Sequence, residues 1–249
     1  MLQSLGWAAL GTGFTFLMTA LGAAMVFVFA GEPRPRFQRT LLGFAAGVMT
    51  AASVWSLLIP AIDQAAAEGL PPWLPAAGGM LLGVVFLAAL DALLPHLRRA
   101  RQDARQTTLL LTAITLHNVP EGMAVGLAFA LAAGGEGLAG AAALAMGIGI
   151  QNFPEGAAVA LPLRQGGWSR SRAFAGGMLS GAVEPVFGVL VVLVAAGVEP
   201  LMPWLLSFAA GAMLYVVVEE LVPQAHSRAG TCGFVLGFLV MMVLDVALG

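Results

Sequence analysis

Two short motifs, HNVPEG and, further along the chain, QNFPEG, carry the polar groups best suited to chemistry in this sequence. In an α-helix, positions i and i+4 lie on the same face, so His117 and Glu121 can converge on one ion, as can Gln151 and Glu155. Each motif therefore supplies half of a coordination shell. For any one of these glutamates taken alone, a neutral side chain hydrogen-bonded between helices is the alternative.

The donor types of the motifs indicate which ions they would bind. Imidazole nitrogen combined with carboxylate and amide oxygen suits Zn²⁺, Cd²⁺, Fe²⁺ or Mn²⁺, and bridging glutamates allow two ions close together. The single cysteine, Cys232, offers neither an internal disulfide nor a thiolate cluster for Cu(I). We therefore expect a divalent metal as the ligand, with no separate cofactor and no nucleic-acid partner.

The elements that position these motifs are predicted to be membrane helices. The chain has 249 residues, of which 59% are hydrophobic and 10% charged, whereas soluble domains carry roughly 25% charged residues. Its 32 glycines and 14 prolines are tolerated in membrane helices, where neighbouring helices satisfy the freed backbone groups. We therefore predict an all-α integral membrane protein of the cell membrane, with one transmembrane domain over residues 1–249.

Apolar runs define the individual helices. A bilayer core of ~30 Å takes about 20 helical residues to cross, and the sequence has eight runs of suitable length. The connections between them are too short to hold a soluble domain. The predicted helices cover residues 4–30, 38–61, 73–94, 107–132, 138–162, 171–196, 201–221 and 230–248.

The basic residues predict the orientation of these helices. All 11 are arginines, and all lie in or beside the first, third, fifth and seventh connections. By the positive-inside rule, these connections face the cytoplasm, so both termini lie outside. The bilayer is also an expected partner, because arginines at this position bind lipid headgroups.

Helix geometry places the polar residues of several helices at one depth. From the rise per residue, Glu121 lies roughly 21 Å from the cytoplasmic end of the fourth helix, and Glu184 lies roughly 20 Å into the sixth. A lone carboxylate at that depth costs ~2.5–3.5 kcal/mol, so it requires a partner or a cation. The convergence favours a metal site over separate hydrogen-bonded pairs, and the other residues at this level are His117, Asn118, Gln151, Asn152 and Glu155.

The two motifs belong to a longer internal repeat. Residues 114–127 and 148–161 match at eight of fourteen positions. Such repetition is common in transporters built from inverted repeats with broken helices at the midplane. The proline of each motif cannot donate to the carbonyl four residues back, so we expect the fourth and fifth helices to be kinked at the site.

The paired motifs on the fourth and fifth of eight helices, with external termini, resemble the ZIP (Zrt/Irt-like) family of divalent metal transporters in its prokaryotic GufA-like branch. The resemblance covers essentially the whole chain. It implies two overlapping metal positions, with Met49 of the second helix as an added thioether ligand or, alternatively, ordinary core. The first position would be formed by His117, Glu121, Gln151 and Glu155, and the second by Asn118, Asn152 and Glu184 with the shared Glu121 and Glu155.

Two features differ from the family pattern. Asn152 stands where some relatives have aspartate, which leaves open whether the second position is competent for transport or structural. The connection at 95–106 holds only His96, where many relatives have a long histidine-rich loop. Polar residues near the helix ends are candidates for metal entry and exit, with solvated interfacial charge as the alternative: Asp63, Glu219, Glu220 and His226.

An intramembrane metal-dependent hydrolase is the competing interpretation, because a metal held by His, Glu and Asn can activate water. The sequence has no HExxH, no histidine cluster and no GxSxG motif, which argues against an enzyme. We therefore predict a transporter that moves a divalent metal, zinc above all, into the cytoplasm by alternating access. The sequence leaves open the preferred metal, proton coupling, elevator or rocking motion, and assembly as a homodimer.

Cysteine labelling tests the predicted orientation. In a Cys232→Ser background, single cysteines replacing Ala66 and Ala100 are expected on opposite sides of the membrane, because Ala100 lies among the arginines and Ala66 does not. An impermeant thiol reagent added to intact cells should label only the Ala66→Cys protein, and permeabilised cells should label both. Labelling of the Ala100→Cys protein alone would show that every helix runs in the direction opposite to the predicted one.

Overall fold

The computed structural model describes residues 2–28, 35–97, 105–132, 137–197 and 199–248, and the regular elements in those ranges are helical. Residues 29–34 and the arginine-rich stretch at 98–104 lie outside the described residues, as do the side chains of His96 and His117. The α-helices are α1 (Leu2–Ala23), α2 (Met25–Val28), α3 (Pro35–Ala52), α4 (Ile59–Ala67), α5 (Trp73–Leu97), α6 (Arg105–Leu131), α7 (Leu138–Gln165), α8 (Arg170–Gly181), α9 (Val183–Gly197), α10 (Met202–Val216), α11 (Val222–Ala225) and α12 (Arg228–Leu248).

Six helical runs in the described part of the chain are long and apolar enough to cross a membrane. They are Leu2–Val28, Pro35–Ala67, Trp73–Leu93, Arg170–Val194, Met202–Ala225 and Arg228–Ala247. The helices α6 and α7 have 27 and 28 residues but are not in this set, because the polar residues of the two motifs lower their mean hydropathy. The prediction of a helical integral membrane protein is confirmed, and the count of eight crossings stays a prediction.

Two membrane helices contain a π-helical segment that the sequence reasoning did not predict. Ser53–Leu58 joins α3 to α4, and Val217–Leu221 joins α10 to α11. In each segment an amide donates to the carbonyl five residues back, as from Ile59 to Val54. A proline follows each segment, at Pro60 and at position 223, and the wider turn relieves its clash with the preceding backbone.

The kink expected at the motif prolines is not accompanied by a break in the helix. The helices α6 and α7 continue without interruption through Pro120 and Pro154. The interruption lies instead at Ala182, between α8 and α9. Pro185 has no amide proton to donate to the carbonyl of Gly181, four residues back, so the helix is interrupted one turn before this proline.

Glycines bring the helices of the metal-site region into backbone contact. The four most extensive helix contacts are α1 with α7, α6 with α9, α3 with α12, and α5 with α10. In the first pair, a Cβ added at Gly156 would lie 2.0 Å from the carbonyl oxygen of Thr19, and one at Gly22 would lie 1.9 Å from that of Phe153. Only glycine fits at such distances, which is a recurrent feature of membrane helix pairs.

Alanine substitution tests this close packing. Gly156→Ala is expected to lower the apparent melting temperature of the detergent-purified protein by about 5 °C or more, because overpacking costs ~1–3 kcal/mol. Gly13→Ala is the control, since it lies in the same helix pair and an added Cβ there has nothing within 4 Å. Equal melting temperatures for the two variants would show that the α1–α7 contact tolerates a methyl group.

Candidate metal centre

A buried polar cluster lies where α1, α6, α7 and the junction of α8 with α9 meet. Its members come from the three segments that the sequence analysis placed at one depth. None of the 11 arginines falls within the helical turns that carry them. The relative exposures are Asn118 1%, Glu121 0%, Gln151 0%, Asn152 0%, Glu155 8% and Glu184 0%.

The two motifs are joined directly by a hydrogen bond. The Nε2 of Gln151 donates to Oε1 of Glu121 across 2.6 Å. The other oxygens of this pair, Oε2 of Glu121 and Oε1 of Gln151, are buried and have no hydrogen-bond partner. His117 lies one turn before Glu121 on α6, and its side chain is outside the described part of the structure. The predicted convergence of Glu121 and Gln151 is therefore observed.

A second set of hydrogen bonds connects α7 and α9 with α1. The Nδ2 of Asn152 donates to Oε2 of Glu184 at 2.9 Å and to the carbonyl oxygen of Thr15 at 3.4 Å. The hydroxyl of Thr19 donates to Oε1 of Glu184 at 3.2 Å. Both carboxylate oxygens of Glu184 thus accept a hydrogen bond, whereas Oδ1 of Asn152 has no partner.

The break at Ala182 determines the position of Glu184. Glu184 lies in the first turn of α9, where the helix dipole stabilises a negative charge. The break also releases backbone carbonyls of α8, and that of Ser180 accepts a hydrogen bond from Nδ2 of Asn118 at 2.9 Å. The Oδ1 of Asn118 is left without a partner. Asn118 therefore ties α6 to the broken helix and presents an oxygen acceptor.

Glu155 connects the two sets of residues electrostatically. Its carboxylate lies close enough to interact with both Glu121 and Glu184. The three carboxylates therefore form one cluster of negative charge in the interior of a helical membrane protein. Such a cluster is costly unless protons or cations compensate it.

The unpartnered oxygens indicate what the centre can bind. Buried polar atoms in proteins nearly always have a hydrogen-bond partner, and leaving one without a partner costs ~1–3 kcal/mol. Here four buried acceptor oxygens have no hydrogen-bond partner among the described residues. Among the described side chains, no group of three His, Cys, Asp or Glu residues is placed to hold a metal by itself, and the amide oxygens are further candidate donors. The oxygens are Asn118 Oδ1, Glu121 Oε2, Gln151 Oε1 and Asn152 Oδ1.

The remaining candidate residues lie on α3, on α4 and around α11. Met49 is fully buried on α3 among apolar side chains, and none of the described contacts links it to the polar centre. Asp63 is exposed on α4, and His226 is exposed at the end of α11. Glu219 and Glu220 both lie in the second π-helical segment, Glu219 exposed and Glu220 half-buried.

A further polar contact was not assigned from the sequence. The hydroxyl of Ser56, in the first π-helical segment, donates to Oδ1 of Asp245 on α12 at 2.5 Å. Both residues line a cavity of about 390 Å³, together with Trp55 and residues at the end of α6 and the start of α7. The sequence signal for this contact is an aspartate in an apolar helix, but its partner is 189 residues away.

Comparison with known proteins identifies the family of the chain. A family model described as ZIP Zinc transporter matches residues 99–245. The chain is 38% identical to zinc transporter ZIP11 of Homo sapiens, with 97% of each chain covered. It is 39% identical to zinc transporter GufA of Myxococcus xanthus, over 93% of this chain and 94% of the relative. It is also 39% identical to zinc transporter ZIPB of Bordetella bronchiseptica, over 98% and 82%.

These matches extend over nearly the whole chain, and they agree with the resemblance of the paired motifs to the GufA-like branch. The chain belongs to the ZIP family.

Proposed function

We propose that this chain transports Zn²⁺ into the cytoplasm through the polar centre between α1, α6, α7 and α9. The relatives that it resembles are named as zinc transporters, which supports zinc as the substrate. The observation that carries the proposal is the group of four buried oxygens without partners. A divalent cation would compensate the carboxylates and satisfy several of these oxygens at once. Cd²⁺, Fe²⁺ and Mn²⁺ suit the same donors.

The two proposed metal positions correspond to the two sets of hydrogen bonds in the centre. The first position would use His117, Glu121, Gln151 and Glu155. The contact between Gln151 and Glu121 supports it, because it brings ligands of both motifs together. The second position would use Asn118, Asn152 and Glu184 with the shared glutamates. Both oxygens of Glu184 are already hydrogen-bonded, which supports an auxiliary role for this position. Met49 would be a thioether ligand only if α3 moved towards the centre.

The proposed ligand set favours transport over catalysis. Carboxylates and amides with a single imidazole exchange a metal more easily than a site with several fixed nitrogen ligands. The family consists of transporters rather than enzymes, so the alternative of an intramembrane hydrolase finds no support. The charged residues at the helix ends would bind the ion before it reaches the centre and after it leaves the centre. Asp63 would act at the entrance, and Glu219, Glu220 and His226 at the exit.

The helix packing supports alternating access. The helices α1, α6, α7, α8 and α9 pack around the centre, and α3, α5, α10 and α12 form a second group that contacts the first through α3 with α7 and α10 with α6. Relative motion of these two groups would open the centre to either side. We further propose that α6 and α7 complete eight crossings and that the chain forms an inverted repeat. The π-helical segments, one in the second helical run and one in the next to last, support that symmetry.

The proposed path places the protein in the cell membrane, with its arginines on the cytoplasmic side. No step of the path requires a second copy of the chain. A homodimer would therefore support each transporter in the membrane, and neither copy would supply residues to the metal site of the other.

Zinc uptake tests the proposed function. Wild-type protein in zinc-starved cells should accumulate zinc above a vector control, and Glu121→Ala or Glu155→Ala should abolish the uptake, because each removes a carboxylate shared by both positions. Glu68→Ala is the control, since it removes a carboxylate beyond the end of α4. The amount of each protein at the membrane must be verified. If Glu121→Ala and Glu68→Ala then take up zinc equally, the polar centre is not part of the transport path.

A second experiment separates the two metal positions. Asn152→Asp removes the amide donor to Glu184 and adds a negative charge, so it is expected to increase the number of zinc ions bound per chain or their affinity. Asn152→Ala is the control, because it removes the donor without adding charge, and it should retain reduced flux, as should Glu184→Ala. Calorimetry on purified protein measures the binding. If Asn152→Asp binds no more zinc than wild type and Glu184→Ala loses all transport, Glu184 belongs to the obligatory path.

A further inference from the structure

The first helix contributes a buried threonine face that no sequence motif indicated. Thr12, Thr15 and Thr19 are 0%, 0% and 1% exposed, in a helix without any charged residue. The hydroxyl of Thr12 donates to the carbonyl of Ala8 at 2.6 Å, and that of Thr15 donates to the carbonyl of Thr12 at 3.0 Å. Both hydroxyls therefore bond within their own helix, as threonines in membrane helices commonly do, and that of Thr15 also lies close enough to interact with Glu184.

The hydroxyl of Thr19 forms a direct hydrogen bond to another helix. It lies 3.3 Å from the carbonyl oxygen of Thr15 and 3.2 Å from Oε1 of Glu184. A hydroxyl has one proton, so these two acceptors share a single donor. When Glu184 is ionised and that proton turns towards it, the bond is charge-assisted and hence stronger than the bond to the carbonyl.

Glycines make room for this contact. A Cβ added at Gly181 would lie 2.9 Å from Cβ of Thr19 and 3.0 Å from Oε1 of Glu184. At Gly156, the added atom would meet the carbonyl of Thr19 itself at 2.0 Å. Thr19 therefore lies in a gap lined by two glycines, with its hydroxyl towards the carboxylate, and a larger residue at either glycine would displace it.

The two oxygens of Glu184 are held from opposite sides. Thr19 of α1 donates to Oε1, and Asn152 of α7 donates to Oε2. The two donors restrict rotation of the carboxylate and keep it within the second set of residues. Without Thr19, Oε1 would lose a donor within a buried site, and a bound cation would be a strong alternative partner.

We propose that Thr19 is a positioning residue for transport, which holds Glu184 back from the metal so that the ion is released. This inference rests on the proposed function, because it presupposes that zinc passes through the centre. Loss of the hydroxyl should let Glu184 approach the ion, so that the ion binds more tightly and leaves more slowly. Apparent KM and maximal flux should then fall together.

The experiment is zinc uptake into proteoliposomes, normalised to the amount of reconstituted protein. Thr19→Val keeps the shape of the side chain and removes the hydroxyl, and it should lower both KM and maximal flux by roughly three- to tenfold, the range expected for one hydrogen bond. Thr19→Ser should restore both values towards wild type. Thr12→Val is the matched control, because the hydroxyl of Thr12 bonds only to the carbonyl of Ala8 among the described contacts. Thr19→Ala serves in place of Thr19→Val if the valine variant does not fold.

A double substitution shows whether Thr19 acts through Glu184. In a Glu184→Gln background, adding Thr19→Val should change neither KM nor flux further. The inference is wrong if Thr19→Val behaves like Thr12→Val, if flux falls without a fall in KM, if serine does not rescue, or if the effect persists in the Glu184→Gln background. Absence of uptake by wild-type protein would instead contradict the proposed function.

Discussion

The cost of placing negative charge in a hydrocarbon layer governs this structure. Three carboxylates occupy one buried cluster, and no arginine lies in the helical turns that carry them. Each must therefore be stabilised by hydrogen bonds, helix dipoles, protons or a cation. The amides of Gln151 and Asn152, the hydroxyl of Thr19 and the N-terminus of α9 supply the first two kinds of stabilisation. Several acceptor oxygens still have no donor among the described residues, and the proposed cation binding rests on these oxygens.

The same requirement explains why backbone contacts surround the centre. Short polar side chains can reach across a helix interface only if the helices approach closely. Gly22 and Gly156 allow this between α1 and α7, and Gly122 allows it between α6 and α9, where an added Cβ would lie 2.4 Å from the carbonyl oxygen of Glu184. The small residues and the polar ones are therefore parts of a single arrangement, and neither would be effective without the other.

The sequence predicted the helical class and the residues of the centre because both depend on local pattern. Apolar runs mark helices, and the spacing of Glu121 from His117 marks a face. The sequence did not predict the contacts whose two residues lie far apart along the chain. The contact of Thr19 with Glu184 spans 165 residues, and that of Ser56 with Asp245 spans 189. The threonine spacing in α1 was visible, but a threonine that bonds its own helix looks the same in sequence as one that crosses to another.

The first π-helical segment changes how the outer half of its helix is aligned with the inner half. One extra residue in a turn rotates everything beyond it by roughly 100° about the helix axis. Met49 and Asp63 are two heptads apart and would share a face in an uninterrupted α-helix. In this structure Met49 is fully buried and Asp63 is exposed. An ion that met Asp63 could not follow one stripe of this helix to the depth of Met49, and would have to pass to a neighbouring helix on the way.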